Sequence, residues 1–332
     1  MCGEYISNEA QAFLQGEGLY PDLFNPPIIN QFQLSSVNGK NTKLPLDLGG
    51  FGISRYVFDQ FLYEKANQAG VEFLLNTEVE SVALKNEEFE INTSQRELIA
   101  SVVIGAFGKR SKLDAQLNRN FFRKRSPYVG VKYHVRTQHP SNLIALHNFR
   151  GGYCGISNIE DGKTNLCYLT HRDNVKRFKG IREMEENILF ENPHLRSIFK
   201  NSEFLFEKPE TINEISFETK EPVWNHILMT GDAAGMITPL CGNGMAMAIH
   251  SAKILSELLK VHVEKKAFSS QQLETEYIKT WNKTFSKRLW IGRQIQNKLF
   301  GSEFTSNLAV DLAIYSKFVA QLIIKNTHGK AF

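Results

Sequence analysis

The residues best suited to chemistry lie in one stretch, Gly231-Asp232-Ala233-Ala234-Gly235-Met236-Ile237-Thr238-Pro239-Leu240-Cys241-Gly242-Asn243-Gly244. An apolar run at 226–230 precedes it and reads as a buried strand. A helix over 245–260 follows, with Met245, Ala248, Ile249, Ala252, Leu255, Leu258 and Leu259 on one face. Glycines lack a Cβ, so the backbone can lie flat against a bulky ligand. A helix starting near Gly244 aims unpaired N–H groups and a positive dipole end at whatever lies in front of it. The chemistry implied is the holding of a large ligand that gathers negative charge. The plain alternative is an ordinary strand-to-helix turn in which Asp232 caps its own turn.

The elements around this stretch alternate in type. Ser7 caps a short helix to about residue 15. Two alternating segments flank Asn38-Gly39 as a hairpin, and Gly49-Gly50-Phe51-Gly52 is expected to be a flexible turn. A helix over 56–69, capped by Ser54, carries Phe58, Phe61, Leu62, Ala66 and Ala69 on one side. The apolar runs 71–75 and 101–106 read as parallel strands buried on both faces, with a small antiparallel excursion between them at 79–99. Residues 128–170 are β-rich, and helices dominate after about 271, where Tyr277, Trp281 and Phe285 recur at helical spacing.

The 332 residues, 42% hydrophobic and 22% charged, suit a globular protein with room for two domains. The net charge of +4 is mild, and the basic cluster Arg119, Arg123, Lys124, Arg125 reads as a solvated loop without the aromatic platform of a nucleic-acid binder. The four cysteines, Cys2, Cys154, Cys167 and Cys241, form no C-x-x-C pair and no metal-ligand spacing, so a reducing cytoplasmic setting is expected and no metal site. No basic, apolar leader is seen. The apolar stretch 308–324 is broken by Asp311 and Lys317, an amphipathic helix that at most attaches weakly to a membrane surface. His134, His139, His147 and His171 show no carboxylate partner in the sequence, and no catalytic residue is assigned. Tyr133, Tyr153 and Tyr168 are candidates for a substrate face, with strand packing as the alternative.

Gly-Asp-Ala-Ala-Gly, then Pro239, then Gly242-Asn243-Gly244-Met245 resembles the second flavin-contacting motif of FAD-dependent oxidoreductases. The group is that of geranylgeranyl reductases and p-hydroxybenzoate-hydroxylase-like monooxygenases. Three more segments resemble it in order: Cys2-Gly3-Glu4; Arg55 ahead of Phe58-Asp59 and Leu62; and 103–111, Val-Ile-Gly-Ala-Phe-Gly-Lys-Arg-Ser. The resemblance implies FAD as cofactor, with Cys2, Arg55, Gly231, Asp232, Pro239, Gly242, Asn243, Gly244 and Met245 around it. Asp232 would bond the ribityl chain, and Arg55 would face FAD unless it is a surface ion-pair partner. NAD(P)H would be the electron donor and a hydrophobic aromatic, polyketide or isoprenoid molecule the substrate, reduced at a double bond or monooxygenated. A flavin-free remnant that binds an apolar ligand is the competing reading.

The sequence departs from that pattern in three places. It contains no G-x-G-x-x-G; Phe107 stands where the third motif has Asp; and 151–156 keeps only the Gly-Gly-Tyr start of the Tyr-x-Trp-x-Phe-Pro segment. The expected fold is α/β: an FAD/NAD(P)-binding three-layer domain, N-terminally incomplete, with an inserted mixed antiparallel β-sheet substrate domain and C-terminal helices. The expected division is 1–27, 51–111 and 226–265 for the FAD domain, 28–50 and 112–225 for the β domain, and 266–332 for the helices. Without an opening strand, the strand at 101–106 is expected to present an open apolar edge.

Overall fold

A computed structural model describes residues 3–263, 269–299, 303–316, 321 and 328–332. In chain order the elements are β1 (Tyr5–Ser7), α1 (Gln11–Gly16), β2 (Ile28–Ser35), β3 (Asn41–Gly52), α2 (Arg55–Gln68), β4 (Val79–Lys85), β5 (Glu88–Thr93), β6 (Glu97–Ala100), β7 (Ile104–Gly105) and α3 (Lys112–Gln116). Next come β8 (Tyr128–Arg136), β9 (Leu143–Phe149), β10 (Gly152–Asn158), β11 (Thr164–His171), α4 (Arg172–Arg177), α5 (Ile181–Ile188) and α6 (Pro193–Asn201). The chain closes with β12 (Glu203–Phe204), β13 (Glu210–Asn213), β14 (Val223–Trp224), β15 (Ile227–Met229), α7 (Gly244–Val263), α8 (Ser270–Leu299) and α9 (Glu303–Tyr315).

Three sheets result, and the fold is mixed α/β. The largest runs β1-β3-β2-β9-β10-β11-β8-β12, with β13 also on β8. Its pairs are antiparallel except β2 with β9, which is parallel. Side chains alternate across it, as the two-residue period of a strand requires. One face packs Val131, Tyr133, Ile156 and Tyr168 against Met184, Ile188 and Leu195 of α5 and α6. The other turns Leu34, Leu146, Tyr153 and Leu169 toward Val310 and Ala313 of α9. The second sheet, β14-β15-β7, contains the parallel pair β15–β7 and is backed by α7 and α8 through Ile254, Leu255, Tyr277, Trp281 and Phe285. The third, β4-β5-β6, is the antiparallel excursion expected at 79–99.

Several expectations hold locally. Ser7 and Ser54 cap their helices, Ser54 Oγ accepting from Val57 N at 3.2 Å. Asn38-Gly39 turns the β2–β3 hairpin.

Others do not hold. Residues 49–52 finish β3 and form no free turn, because β1 pairs along Gly50–Gly52 on one side and Ile28 and Ile29 on the other. The glycines there serve close packing: a Cβ on Gly52 would overlap the Asn158 carbonyl. That pairing also carries the large sheet across the expected divisions at 27/28 and 50/51. Residues 71–75 are not a strand. A strand buried on both faces needs ladder neighbours and covering layers, and among the described residues nothing pairs with this stretch, which leaves Val71 49% and Leu75 61% exposed. The run 101–106 contributes only Ile104–Gly105, which pairs with β15 alone among the described residues. Arg119, expected in a solvated loop, is fully buried. Part of the 308–324 stretch, and Cys2, lie outside the described residues.

Candidate functional site

β15 delivers the chain, fully buried, to Thr230. Gly231 then turns with φ +57°, a left-handed conformation that favours glycine, and Gly242 does so again at φ +65°. Between them lie two single-turn 3-10 helices, Gly231–Ala233 and Pro239–Cys241. α7 starts at Gly244, so its positive end faces the concave side of the loop.

The loop is held from behind. Lys220 Nζ, on a residue only 4% exposed, donates to the carbonyls of Asp232 (2.6 Å) and Lys109 (2.7 Å). Arg119 donates to the Ala233 carbonyl at 2.9 Å and pairs with buried Asp114 at 3.1 Å. Ser251 Oγ on α7 accepts from Gly231 N at 3.0 Å and bonds Thr230 Oγ1 at 2.7 Å. Tyr277 Oη donates to the Met229 carbonyl at 2.6 Å. At the far end Leu240 N donates to Tyr153 Oη at 3.0 Å. Burial lowers the Lys220 ammonium to about 8, with Arg119 and Lys109 adding to the fall and Asp114 and Asp232 opposing it.

In front of the loop lies a cavity of about 470 Å³. Arg55, Gly231, Asp232, Pro239, Gly242, Asn243, Gly244 and Met245 all line it; of the residues named from sequence only Cys2 lies outside the described residues. Arg55 does two things at once. It borders the cavity and pairs with Asp59 one helical turn on, at 2.7 Å. Burial raises the Asp232 carboxyl, against the pull of Lys220, Arg55 and Lys109. Ala248 and Ala252 also border the cavity. The buried side of α7 is therefore rotated from the expected stripe, toward Met247, Ser251, Ile254 and Leu255.

The opposite wall is the inner face of the large sheet. Phe32, Leu46, Ile144, Leu146, Tyr153 and Leu169 pave it, and no charged side chain of the described residues joins them there. Of the three candidate tyrosines, only Tyr153 faces the cavity. Tyr133 and Tyr168 sit on the other face and donate to buried Glu185 at 2.9 and 2.7 Å, so they are packing residues.

A further cluster sits behind Gly3 and Arg55, which line the cavity. Glu4 is fully buried with φ +52° and accepts from Arg55 N (2.9 Å) and Lys132 Nζ (2.7 Å), with His134 Nε2 at 2.6 Å from its other oxygen. Burial would raise the Glu4 carboxyl, but His134 and Lys132 outweigh it and hold it below the usual range. His134 thus has the carboxylate partner that its sequence neighbourhood did not reveal. Glu4, Lys132, His134, Arg119 and Lys220 were all missed from sequence. Apart from Asp114 beside Arg119 and Asp232 beside Lys220, their partners lie roughly 50–130 residues away, beyond any local pattern.

The residues present fit the ring-bearing end of FAD. A Cβ on Gly3, Gly108 or Gly244 would meet nothing within 4 Å, so these cavity-lining glycines leave a flat, open cradle beside the positive end of α7. No G-x-G-x-x-G turn for the pyrophosphate occurs in the sequence.

No family model matches the chain. A digeranylgeranylglycerophospholipid reductase of Methanosarcina acetivorans is 23% identical over 267 residues, covering 76% of this chain and 64% of the relative. The chain therefore spans less than two thirds of that relative's length. Among solved structures, a geranylgeranyl bacteriochlorophyll reductase-like protein from Thermoplasma acidophilum superposes with a TM-score of 0.77 at 17% identity, over 98% of this chain and 85% of that one. A flavin-dependent brominase gives 0.76 at 16% identity, over 98% and 84%. By sequence the chain is similar to digeranylgeranylglycerophospholipid reductases, and it shares its fold with geranylgeranyl-reductase-like and flavin-dependent halogenase structures.

Proposed function

We propose that this protein is a flavin-dependent oxidoreductase acting on an uncharged, hydrophobic small molecule. The observation that supports it best is a single cavity that joins the glycine-rich loop to an apolar sheet face. Bound there, FAD would supply redox chemistry, taking electrons from NAD(P)H and using them for alkene reduction or, with O2, for hydroxylation. The chain's own residues bind and orient. The backbone of 242–245 and the positive end of α7 would stabilise negative charge on the reduced ring. Asp232, which lines the cavity, would bond ligand hydroxyls. The sheet face would exclude water from the reacting centre.

The test is a titration of the purified chain with FAD, followed by absorbance and fluorescence, then NADPH consumption with and without O2. Stoichiometric binding with a perturbed flavin spectrum supports the reading. Consumption that persists anaerobically with an alkene substrate selects reduction; consumption that requires O2 selects monooxygenation. Absence of FAD binding in a folded chain that still takes up an apolar dye would leave only the apolar-ligand binder.

Among the described residues no helix is long and apolar enough to cross a membrane. α9 presents Leu308 (54% exposed), Leu312 (46%) and Tyr315 (83%) outward at helical spacing. That ridge favours weak attachment to a membrane surface, which sedimentation with liposomes would detect. A reducing cytoplasmic setting and the absence of a nucleic-acid partner remain part of the same proposal.

A further inference from the structure

Glycine in mid-strand weakens the strand unless something requires it. Most glycines in the large sheet have such a reason. A Cβ on Gly50 would overlap the Ile6 carbonyl and the Tyr5 ring, one on Gly52 the Asn158 carbonyl, and one on Gly152 the Leu169 carbonyl. Gly155, in the middle of β10, has none. Its φ is not positive, and a Cβ there would meet only the Cys167 carbonyl, at an ordinary 3.6 Å.

What distinguishes Gly155 is its position. It borders the cavity, as do its cross-strand neighbours Leu146 on β9 and Cys167 on β11. Two residues away on either side, Tyr153 and Ser157 also border it. The floor is paved with side chains all around this point, and at this point it has none. Although it lies inside a nine-stranded sheet, Gly155 is only half-buried, because the space above it is open.

We propose that Gly155 is a specificity-determining residue: the missing side chain makes a slot in the cavity floor that receives a broad, uncharged apolar group of the substrate. A larger residue there would raise the floor and exclude that group. The slot rests on the reading that the sheet face is the substrate side of the site, and it deepens that reading by assigning the ligand's bulk to one place.

The test uses Gly155→Ala and Gly155→Leu beside the unaltered chain. Nile red, an uncharged fluorophore that brightens in apolar surroundings, is the probe, titrated with and without saturating FAD. FAD affinity and melting temperature are measured on the same samples. The expected result is a graded loss of Nile red affinity, a few-fold for Ala and about tenfold or more for Leu, with FAD affinity within about twofold. Melting temperatures should stay level or rise, since each replacement removes the entropy cost of a strand glycine. Nile red affinity that is absent in the unaltered chain or indifferent to residue 155 would overturn the slot. A lowered melting temperature for Gly155→Ala would also overturn it, by showing that the backbone needs the glycine. The two readings fail separately. A graded Nile red series without FAD binding removes the flavin and keeps the slot; normal FAD binding with an indifferent probe does the reverse.

Discussion

Along residues 231–245 the cavity is faced by Gly231, Gly242 and Gly244 together with side chains such as Met236, Leu240 and Met245, and what fixes that wall lies behind it: Lys220 and Arg119 on carbonyls of the loop, Ser251 on Gly231 N. Across the cavity the sheet is faced by Phe32, Leu146, Tyr153 and Leu169, and is fixed by its own ladder. At Gly244 the first wall is bare main chain, so a side chain added there is an obstacle that leaves the anchored frame unaltered. The second takes its shape from side chains, so it can be recut one residue at a time with the ladder intact. A shared cofactor on one side and a variable substrate on the other would call for that division of labour.

Breaking the anchored wall should cost most when a buried cation is removed. Arg119→Met leaves Asp114 buried without its cation and the Ala233 carbonyl without its donor. A loss of about 3–5 kcal/mol is expected in chemical denaturation, with FAD binding lost alongside. Lys220→Met should cost less, about 1–3 kcal/mol, because it strips a donor from two carbonyls while fully buried Asp114 keeps Arg119 as its cation. If FAD affinity survives Lys220→Met unchanged, the loop does not depend on anchoring from behind. On the front of the same wall, Gly244→Val projects into open space. It should weaken FAD by about tenfold, roughly 1.4 kcal/mol, with the melting temperature close to that of the parent.

The smallest effect concerns pH. The Glu4 carboxyl is lowered in the folded protein, so the stability it contributes is fully present above the ordinary glutamate value of 4.5 and is lost as pH falls through the folded value. The melting-temperature gap between the parent and Glu4→Gln should therefore narrow as pH is lowered below 4.5. A gap that widens on acidification would show that Glu4 does not tie Arg55 N, Lys132 and His134 together as an anion.

The parts of the molecule readable from sequence were those whose signals are local. Ser54 caps α2, Asn38-Gly39 turns a hairpin, and the aromatic spacing at Tyr277, Trp281 and Phe285 marks a buried helix face. The loop at 231–244 was readable for the same reason, since its glycines, proline and acid form one contiguous motif. Residues 71–75 misled because an apolar run states a preference for burial and says nothing of what stands beside it. The turn assigned to 49–52 failed because glycine serves flexibility and close packing alike, and only the arrival of β1 and Asn158 decides between them. Arg119 was invisible because a buried arginine is indistinguishable from a solvated one until Asp114 and Ala233 surround it.

The parallel pairing of β2 with β9 sets an order of events on the ribosome. Gln31 meets Leu143 and the hairpin ends at Gly52, so the finished β2–β3 hairpin emerges about 90 residues ahead of its next neighbour, some 5–20 s at ordinary elongation rates. Throughout that interval the far edge of β2, carrying Phe32 and Leu34, has no partner and can pair with a second nascent chain or be captured by a chaperone. Expression yield should therefore respond to translation speed between codons 35 and 143 more than to anything done downstream.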